Sequence, residues 1–348
     1  METVVKMKIS YSTHYMESSQ FVLASRPIGL PSSDNFRMEK TLLKELQENE
    51  VLLKSWYISV DPYMRGRMNS VKSYAASFEV NEPIKGGIVA KVIESKSNMV
   101  NAGDTVFGML PWATYSIEKA ETLRKVDIQK VPPGYYLGVL GMPGITAYIG
   151  MMAIGKPKKG DTVVVSGAAG AVGIVAGQIA KLKGAKVIGI AGSDDKCRLL
   201  KEQFGYDETI NNKTSKSIRK ELAALCPYGV DVYFDNVGGE ITEAVAANLD
   251  FHARIALCGQ ISQYNNTKPY IGYSILPHLL TRSVMLQGFI VSNYSDRFGE
   301  AISQLTQWVN EGKLKYIETI TEGFDKLPEA FLGLFSGSNQ GKMIVKVE

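Results

Sequence analysis

Thr162-Val163-Val164-Val165-Ser166-Gly167-Ala168-Ala169-Gly170-Ala171-Val172-Gly173, running on to Lys181, is the stretch on which the fold turns. Four β-formers end abruptly in Gly-x-x-Gly-x-x-Gly, and small residues follow at helical spacing: Ala171, Ala176, Gly177 and Ala180. This is the text of a strand, a tight turn and the start of a helix. The glycines allow the backbone to approach a pyrophosphate, whose charge the free N–H groups and dipole of the helix would hold. A glycine pattern alone carries little weight; a strand before it and a helix after it supply the context it needs.

The text on either side extends this unit. Strands are expected at Thr162–Ser166, Lys186–Ile190, Glu208–Ile210, Asp231–Asp235, Arg254–Cys258 and Val284–Gly288, with helical patterns between them such as Ser215–Leu225 and Glu240–Leu249. Strands alternating with helical crossovers predict a doubly wound parallel sheet in an α/β domain. An apolar helix, roughly Leu137 to Ile154 and interrupted at Met142-Pro143-Gly144, precedes it.

Before residue 130 the text differs. Phe21–Ala24, Glu50–Val60, Gly86–Glu94, Asp104–Gly108 and Ala113–Ile117 are short runs punctuated by Gly and Pro. They predict a barrel-like β module. After a helix at Asp296–Asn310, the C-terminal part returns to that module, with a strand at Lys315–Thr319, a helix at Lys326–Phe335 and a strand at Lys342–Val347. The division expected is an N-terminal extension over 1–20, a β module over 21–130 plus 311–348, and a nucleotide-binding unit over 131–310. Setting one unit inside the other places a cleft between two bodies, where pockets form preferentially.

The 348 residues, 45% hydrophobic and 21% charged, suit a globular chain of two domains. A net charge of +4 implies no nucleic-acid tail. The three cysteines, Cys197, Cys226 and Cys258, are odd in number and far apart, which argues against a disulfide framework and for a reducing compartment. No apolar run reaches spanning length, and the N-terminus does not read as a signal peptide, so the cytoplasm is the expected location.

The second strand of the parallel sheet selects the dinucleotide. Sites for NAD usually place an acid at its end, gripping the ribose hydroxyls. Here the strand ends Ala191-Gly192-Ser193, without an acid, and Lys196 follows on the next helix. That combination leaves room for a 2′-phosphate and offers it a point charge. Asp194 and Asp195, behind Ser193 as N-cap, read as ordinary partners of the helix dipole. NADP(H) is the cofactor expected. No metal is expected: His14, His252 and His278 stand alone, and the cysteines lack ligand spacing.

With a nicotinamide present the hydride chemistry is the cofactor's, and the protein need only orient a substrate and stabilise charge developing on its oxygen. Tyr264, just past the carboxyl end of a parallel strand, and Tyr63, in Asp61-Pro62-Tyr63-Met64-Arg65-Gly66-Arg67-Met68, are candidate donors. A packing role is the alternative for each. Arg65 and Arg67 suggest an exposed or salt-bridged role rather than an anion clamp. Trp112 reads equally as barrel core or pocket wall.

Six collinear stretches carry a resemblance. They are Asp61–Met68, Leu140-Gly141-Met142-Pro143-Gly144-Ile145-Thr146-Ala147-Tyr148, Ser166–Gly173, Phe234-Asp235-Asn236-Val237-Gly238-Gly239, Cys258-Gly259-Gln260-Ile261-Ser262-Gln263-Tyr264-Asn265 and Gln287-Gly288-Phe289-Ile290. From about Phe21 to the C-terminus the chain resembles the zinc-independent medium-chain dehydrogenases/reductases, in the branch of the prostaglandin, plant alkenal and bacterial curcumin reductases. The resemblance implies a Rossmann sheet inserted in a GroES-like β-barrel catalytic domain, a homodimer, and NADPH-dependent reduction of the C=C bond of α,β-unsaturated aldehydes and ketones. It implies that Gly170, Ala171, Val172 and Gly173 hold the pyrophosphate and Lys196 the 2′-phosphate. Asn236, Cys258, Phe289, Ile290, Val291 and Asn339 would line the rest of the cofactor. Tyr264 would sit near the nicotinamide ribose and the substrate carbonyl, with Tyr63 and Trp112 in the substrate pocket. Many members carry a tyrosine near the adenosine phosphate where Asn211-Asn212-Lys213 stands here, and Asn212 would supply that contact instead. A quinone reductase on the same scaffold and a non-catalytic nucleotide-binding protein are the competing readings.

Overall fold

The computed structural model describes residues 16–347. The β elements of the first part are β1 (Glu17–Leu23), β2 (Phe36–Leu42), β3 (Glu50–Ser59), β4 (Lys85–Ser95), β5 (Thr105–Pro111), β6 (Tyr115–Lys119) and β7 (Arg124–Lys125), with one short helix, α1 (Met64–Arg67), after β3. Next come α2 (Met142–Ile149), β8 (Thr162–Ser166), α3 (Ala171–Leu182), β9 (Lys186–Ala191), α4 (Asp194–Phe204), β10 (Glu208–Asn211) and α5 (Ile218–Leu225). The series continues with β11 (Val230–Asp235), α6 (Gly239–Ala246), β12 (Leu249–Leu257), α7 (Leu276–Thr281), β13 (Met285–Gly288) and α8 (Phe298–Asn310). The chain closes with β14 (Glu318–Glu322), α9 (Leu327–Ser336) and β15 (Lys342–Lys346).

The parallel sheet has six strands in the order β10-β9-β8-β11-β12-β13. The order reverses beside β8, where open α/β sheets bind their ligands. Its strands are continuous apolar runs because both faces are covered. One face packs Val163, Val165, Val187 and Val232 against α2, α3 and α8. The other packs Val164, Ile188, Tyr233 and Ile255 against α5 and α6. The second sheet is mixed, β14-β15-β3-β4-β5-β7, with β6 also paired to β3. Its separate core contains Leu53, Ile58, Ile88, Val106, Trp112 and Phe331. The parallel pair β14–β15, with α9 as crossover, attaches the C-terminal chain to β3.

Several elements depart from expectation. Residues 17–20, assigned to a loose extension, lie in β1, where Ser18 is buried and its hydroxyl donates to the Tyr115 carbonyl at 2.7 Å. The earlier part of that extension, 1–15, falls outside the described residues. Strand β2 carries no apolar alternation (Phe-Arg-Met-Glu-Lys-Thr-Leu) because most of its side chains face solvent; it exists through its full register with β1. The interruption expected at Met142-Pro143-Gly144 is the start of α2, with Pro143 in the first turn, where a missing N–H costs nothing. A π-helical turn over Gly150–Gly155 follows α2. The strand expected at Lys315–Thr319 begins at Glu318, because Leu314 is first buried in the core of the parallel sheet.

Candidate active site

Strand register alone assembles one edge. Ser166 of β8 is level with Ile190 of β9, Ala191 with Asn211 of β10, Phe234 of β11 with Val165, Asp235 with Leu257 of β12, and Leu257 with Gly288 of β13. The residues immediately after those strands are Gly167, Gly192, Asn212, Asn236, Cys258 and Phe289. They therefore share the carboxyl edge of the sheet, the side on which such folds bind ligands.

At its centre is the glycine turn. Gly167 has φ +57°, a conformation that favours glycine. A Cβ on Gly173 would stand 2.4 Å from the Gly167 carbonyl and 2.6 Å from that of Ala168, so the helix can press onto the turn only without a side chain there. Gly170 caps α3 with no side-chain hydrogen bond, which leaves the first N–H groups of a 12-residue helix unclaimed by a cap. Ala171 and Val172 are half-buried at that opening. Gly341 pairs with Gly170 across the turn, and its N–H donates to the Ala169 carbonyl at 2.8 Å. The chain before it brings in Asn339, whose side-chain amide donates to the Gly341 carbonyl at 2.8 Å.

Beside the turn lies a pair of lysines. Lys196 Nζ donates to the Gly337 carbonyl at 2.8 Å, and burial together with the neighbouring Lys213 pulls its pKa down. Neither lysine has a carboxylate within ion-pair distance among the described residues. A Cβ on Gly192 would meet Lys213 Cε at 3.4 Å and Asn212 Oδ1 at 3.8 Å, so Asn212 and Lys213 border the same hollow. The nearby acids are engaged elsewhere: Asp194 accepts from Asn211 at 2.7 Å, and Asp195 pairs with Arg198 at 2.7 Å. Ser193 caps α4, its hydroxyl accepting from the Lys196 N–H. An uncapped helix N-terminus beside two lysines without acidic partners fits a dinucleotide bearing an extra phosphate on its adenosine end.

The other expected contacts occupy the same edge. Asn236 is fixed by Ser166: its side-chain amide donates to the Ser166 carbonyl at 2.8 Å and its backbone N–H to the Ser166 hydroxyl oxygen at 2.9 Å. Asp235, which sequence reasoning passed over, is fully buried and organises the turn: it accepts from Ser166 Oγ and Tyr233 Oη and from the N–H groups of Val237 and Gly238. The Cys258 thiol is pushed up to about 12 by burial and by Asp235, so it stays protonated. Phe289 is buried edge-on against Phe234 and Tyr294. Ile290 and Val291 follow it, half-buried, beyond the end of β13.

Tyr264 follows the short 3-10 turn Ile261–Gln263. Its hydroxyl accepts from the Gln260 N–H at 3.3 Å, and burial raises its pKa despite that bond. Gly259 lets this hydroxyl approach the backbone closely, since a Cβ there would lie 3.1 Å from it. Tyr63, just before α1, has its pKa raised by burial and then by Asp61. Tyr74, which no periodicity marked, has an exposed body yet a phenol raised by burial, an effect that Arg67 opposes and the Cys258 thiol adds to. It lies within electrostatic reach of both Tyr63 and Tyr264. The three tyrosines and Cys258 thus bring the β module and the sheet edge together.

On the β module one expectation is corrected and two readings are narrowed. Trp112 is fully buried beside Phe36 and Phe331, which favours the core side of its two readings. Arg65 is neither exposed nor salt-bridged; it is 3% exposed and donates only to carbonyl and amide oxygens. Arg67 lies over the Phe78 ring at 4.1 Å and donates to the Ala76 carbonyl, which pins the loop bearing Tyr74.

The two-sheet fold and this sheet edge define a nucleotide-dependent oxidoreductase. Residues 19–126 match the family described as the N-terminal domain of oxidoreductase, and residues 171–307 the one described as zinc-binding dehydrogenase. Among the described residues no group of three or more His, Cys, Asp or Glu could hold a metal ion. The chain is 52% identical to the YfmJ protein of Bacillus subtilis (strain 168), over 94% of this chain and 97% of that one. It is 42% identical to the NADPH-dependent curcumin reductase of Escherichia coli (strain K12), covering 94% and 96% of the two chains. With the NADP(+)-dependent 2-alkenal reductase of Nicotiana tabacum it shares 41% identity over 95% and 98%. The crystal structure of CurA from Vibrio vulnificus in complex with NADPH matches with TM-score 0.90 at 42% identity, over 95% of this chain and 99% of that one. The chain belongs to the zinc-independent medium-chain dehydrogenases/reductases.

Proposed function

We propose that this protein is an NADPH-dependent reductase of the C=C bond of α,β-unsaturated aldehydes and ketones. The observation that carries the reading is the sheet edge with its uncapped α3 N-terminus and acid-free lysine pair, faced by tyrosines of the other module. NADPH, when bound, supplies hydride to the β-carbon of the conjugated substrate. The residues assigned to it are Gly170, Ala171, Val172 and Gly173 at the pyrophosphate, and Lys196 with Asn212 at the 2′-phosphate. Asn236, Cys258, Tyr264, Phe289, Ile290, Val291 and Asn339 line the remainder. The raised pKa of Tyr264 keeps its hydroxyl protonated at neutral pH. It can therefore donate to the carbonyl oxygen as that atom gains negative charge, and solvent protonates the α-carbon. Tyr63 and Tyr74 border the substrate. The names of the Escherichia coli and Nicotiana tabacum relatives support this reaction class.

The division into a β module over 21–130 plus 311–348 and a nucleotide-binding unit over 131–310 belongs to this reading. It is supported by two separate sheets with separate cores. So does a homodimer. Strand β13 is an open sheet edge, and the exposed Ile271 (94%), Tyr273 (87%), Leu276 and Leu280 (81%) form an apolar surface beside it. Open edges and apolar patches of this kind are ordinarily covered. Sedimentation of the pure protein would reveal a monomer if that is wrong. No described helix is long and apolar enough to cross a membrane. The cytoplasm is the compartment that suits the free thiols Cys197, Cys226 and Cys258.

The deciding experiment follows loss of NADPH absorbance over a panel of enones, simple ketones and quinones, alongside titration of NADPH and NADH. Turnover of enones but not of simple ketones, with NADPH bound more tightly than NADH, is the expected result. Quinone turnover without enone turnover, or cofactor binding without oxidation, would overturn the reaction class; tighter NADH binding would overturn the cofactor.

A further inference from the structure

Arg65 brings a charge into the interior where no carboxylate meets it among the described residues. Its Nε donates to Asn265 Oδ1 at 3.0 Å and its Nη1 to Asn69 Oδ1 at 2.7 Å. Its Nη2 donates to the Gly29 carbonyl at 2.8 Å and that of Pro27 at 3.4 Å. Burying a cation among neutral acceptors is costly, and an apolar side chain of similar volume would fill the space at less cost. What the guanidinium accomplishes is a junction: one planar fork ties the loop after β1, the turn after α1 and the loop after β12.

The third of those loops carries Tyr264, the residue before Asn265. Within its own sheet this loop is held by Ile261 N–H to the Asn236 carbonyl and by the Ser262 N–H and hydroxyl to the Val237 carbonyl. Those bonds seat the loop on the sheet edge. They do not fix its placement toward Tyr63, which belongs to the other module and stands two residues before Arg65. The Arg65–Asn265 bond, spanning 200 residues of sequence, supplies that constraint. The backbone at Gly29, with φ +77°, closes against the same loop: a Cβ there would lie 3.4 Å from the Thr267 methyl.

We propose that Arg65 is a positioning residue: through Asn265 it sets the placement of the Tyr264 loop against the substrate-facing tyrosines of the other module. The assignment of a catalytic consequence rests on the reductase reading above, and wild-type turnover of an enone decides that reading separately.

The test compares Arg65→Lys, Asn265→Ala and the double substitution with the wild type. Misplacing a donor by a fraction of an ångström costs rate rather than binding, so each single substitution is expected to lower kcat about tenfold. NADPH Kd and enone KM should stay within about twofold, and the double variant should be no slower than the slower single one. Without substrate, amide hydrogen exchange of segment 260–267 should accelerate in all three variants. An Asn265→Ala protein with wild-type kcat and wild-type exchange in that segment would overturn the proposal. So would parallel losses of NADPH affinity and melting temperature in Arg65→Lys with no response from Asn265→Ala, the pattern of a purely structural cation. Should the wild type reduce no enone, the reaction class falls while the exchange readout still tests the clamp.

Discussion

Two side chains at the candidate site have effects that separate cleanly. In the proposed mechanism Tyr264 offers one hydroxyl to a developing oxyanion, and removal of one such donor costs roughly 3 kcal/mol in kcat, about a hundredfold. Tyr264→Phe should show that loss in steady-state kinetics with NADPH Kd nearly unchanged. Wild-type kcat would remove Tyr264 from the mechanism. Lys196 should behave oppositely. Its Nζ is already placed by the Gly337 carbonyl, burial and Lys213 lower its pKa, and no carboxylate among the described residues competes for it. A charge-assisted contact to phosphate is worth about 1.5–3 kcal/mol, so Lys196→Ala should weaken NADPH roughly ten- to a hundredfold while leaving NADH within about twofold. Equal losses for both cofactors in fluorescence titrations would mean that Lys196 does not meet the 2′-phosphate. At this scale the sequence was informative where chemistry is written into residue type. The missing acid at Ala191-Gly192-Ser193 was visible in the letters. Tyr74 was not, since it sits in a loop without period and gains its meaning only from the Arg67 contacts that pin that loop.

Elements were legible to the degree that burial wrote a period into them. Strands β8, β9 and β11, covered on both faces, appear as continuous apolar runs, and their registers then gather the site without further information. Strand β2 wrote nothing, because its side chains mostly face water and its pairing with β1 is made by the backbone. The glycine turn sits between these cases: its pattern was plain, but which glycine is indispensable depends on what its neighbours in space are. At Gly173 an added methyl would meet two backbone carbonyls, atoms that cannot swing aside as a side-chain end could. Overpacking of this sort costs roughly 1–3 kcal/mol and would lever α3 off the turn. Gly173→Ala should therefore lower the melting temperature and weaken NADPH together. Gly299→Ala, on α8 where nothing lies within 4 Å of the added atom, should leave NADPH binding unchanged. Paired calorimetry and titration of the two proteins would test the distinction; unaltered NADPH affinity in Gly173→Ala would refute it.

For the whole molecule, the two chain crossings between the sheets are what sequence could least reveal. The outgoing segment carries Gly134 and Gly138, and the returning one carries Tyr316 and Glu318. A Cβ on Gly134 or Gly138 would overlap the Glu318 carboxylate and the Tyr316 hydroxyl, so the crossings pass in direct contact. Beneath them Lys342 is buried against Asp61 at 3.2 Å, with its remaining bonds to the Val60 and Met343 carbonyls. Glu318 Oε1 and the Tyr316 hydroxyl have no hydrogen-bond partner among the described residues. Burial lifts Glu318 from an ordinary 4.5 to about 7, with Lys342 opposing the shift. A carboxyl whose pKa is higher folded than unfolded retains more protons in the folded state between those values. Its contribution is therefore most favourable below about 4.5 and is lost as pH rises through about 7. Glu318→Gln removes the titration while keeping the shape. Across that interval the melting temperature of the wild type should decline relative to the variant by a few degrees, and the two curves should run parallel above it. Parallel curves throughout would mean that the carboxylate is solvated at the crossing and that the junction carries no pH dependence. A gap opening between them would place a titrating group where the β module meets the nucleotide-binding sheet, on the chain that also delivers Asn339 and Gly341 to the glycine turn.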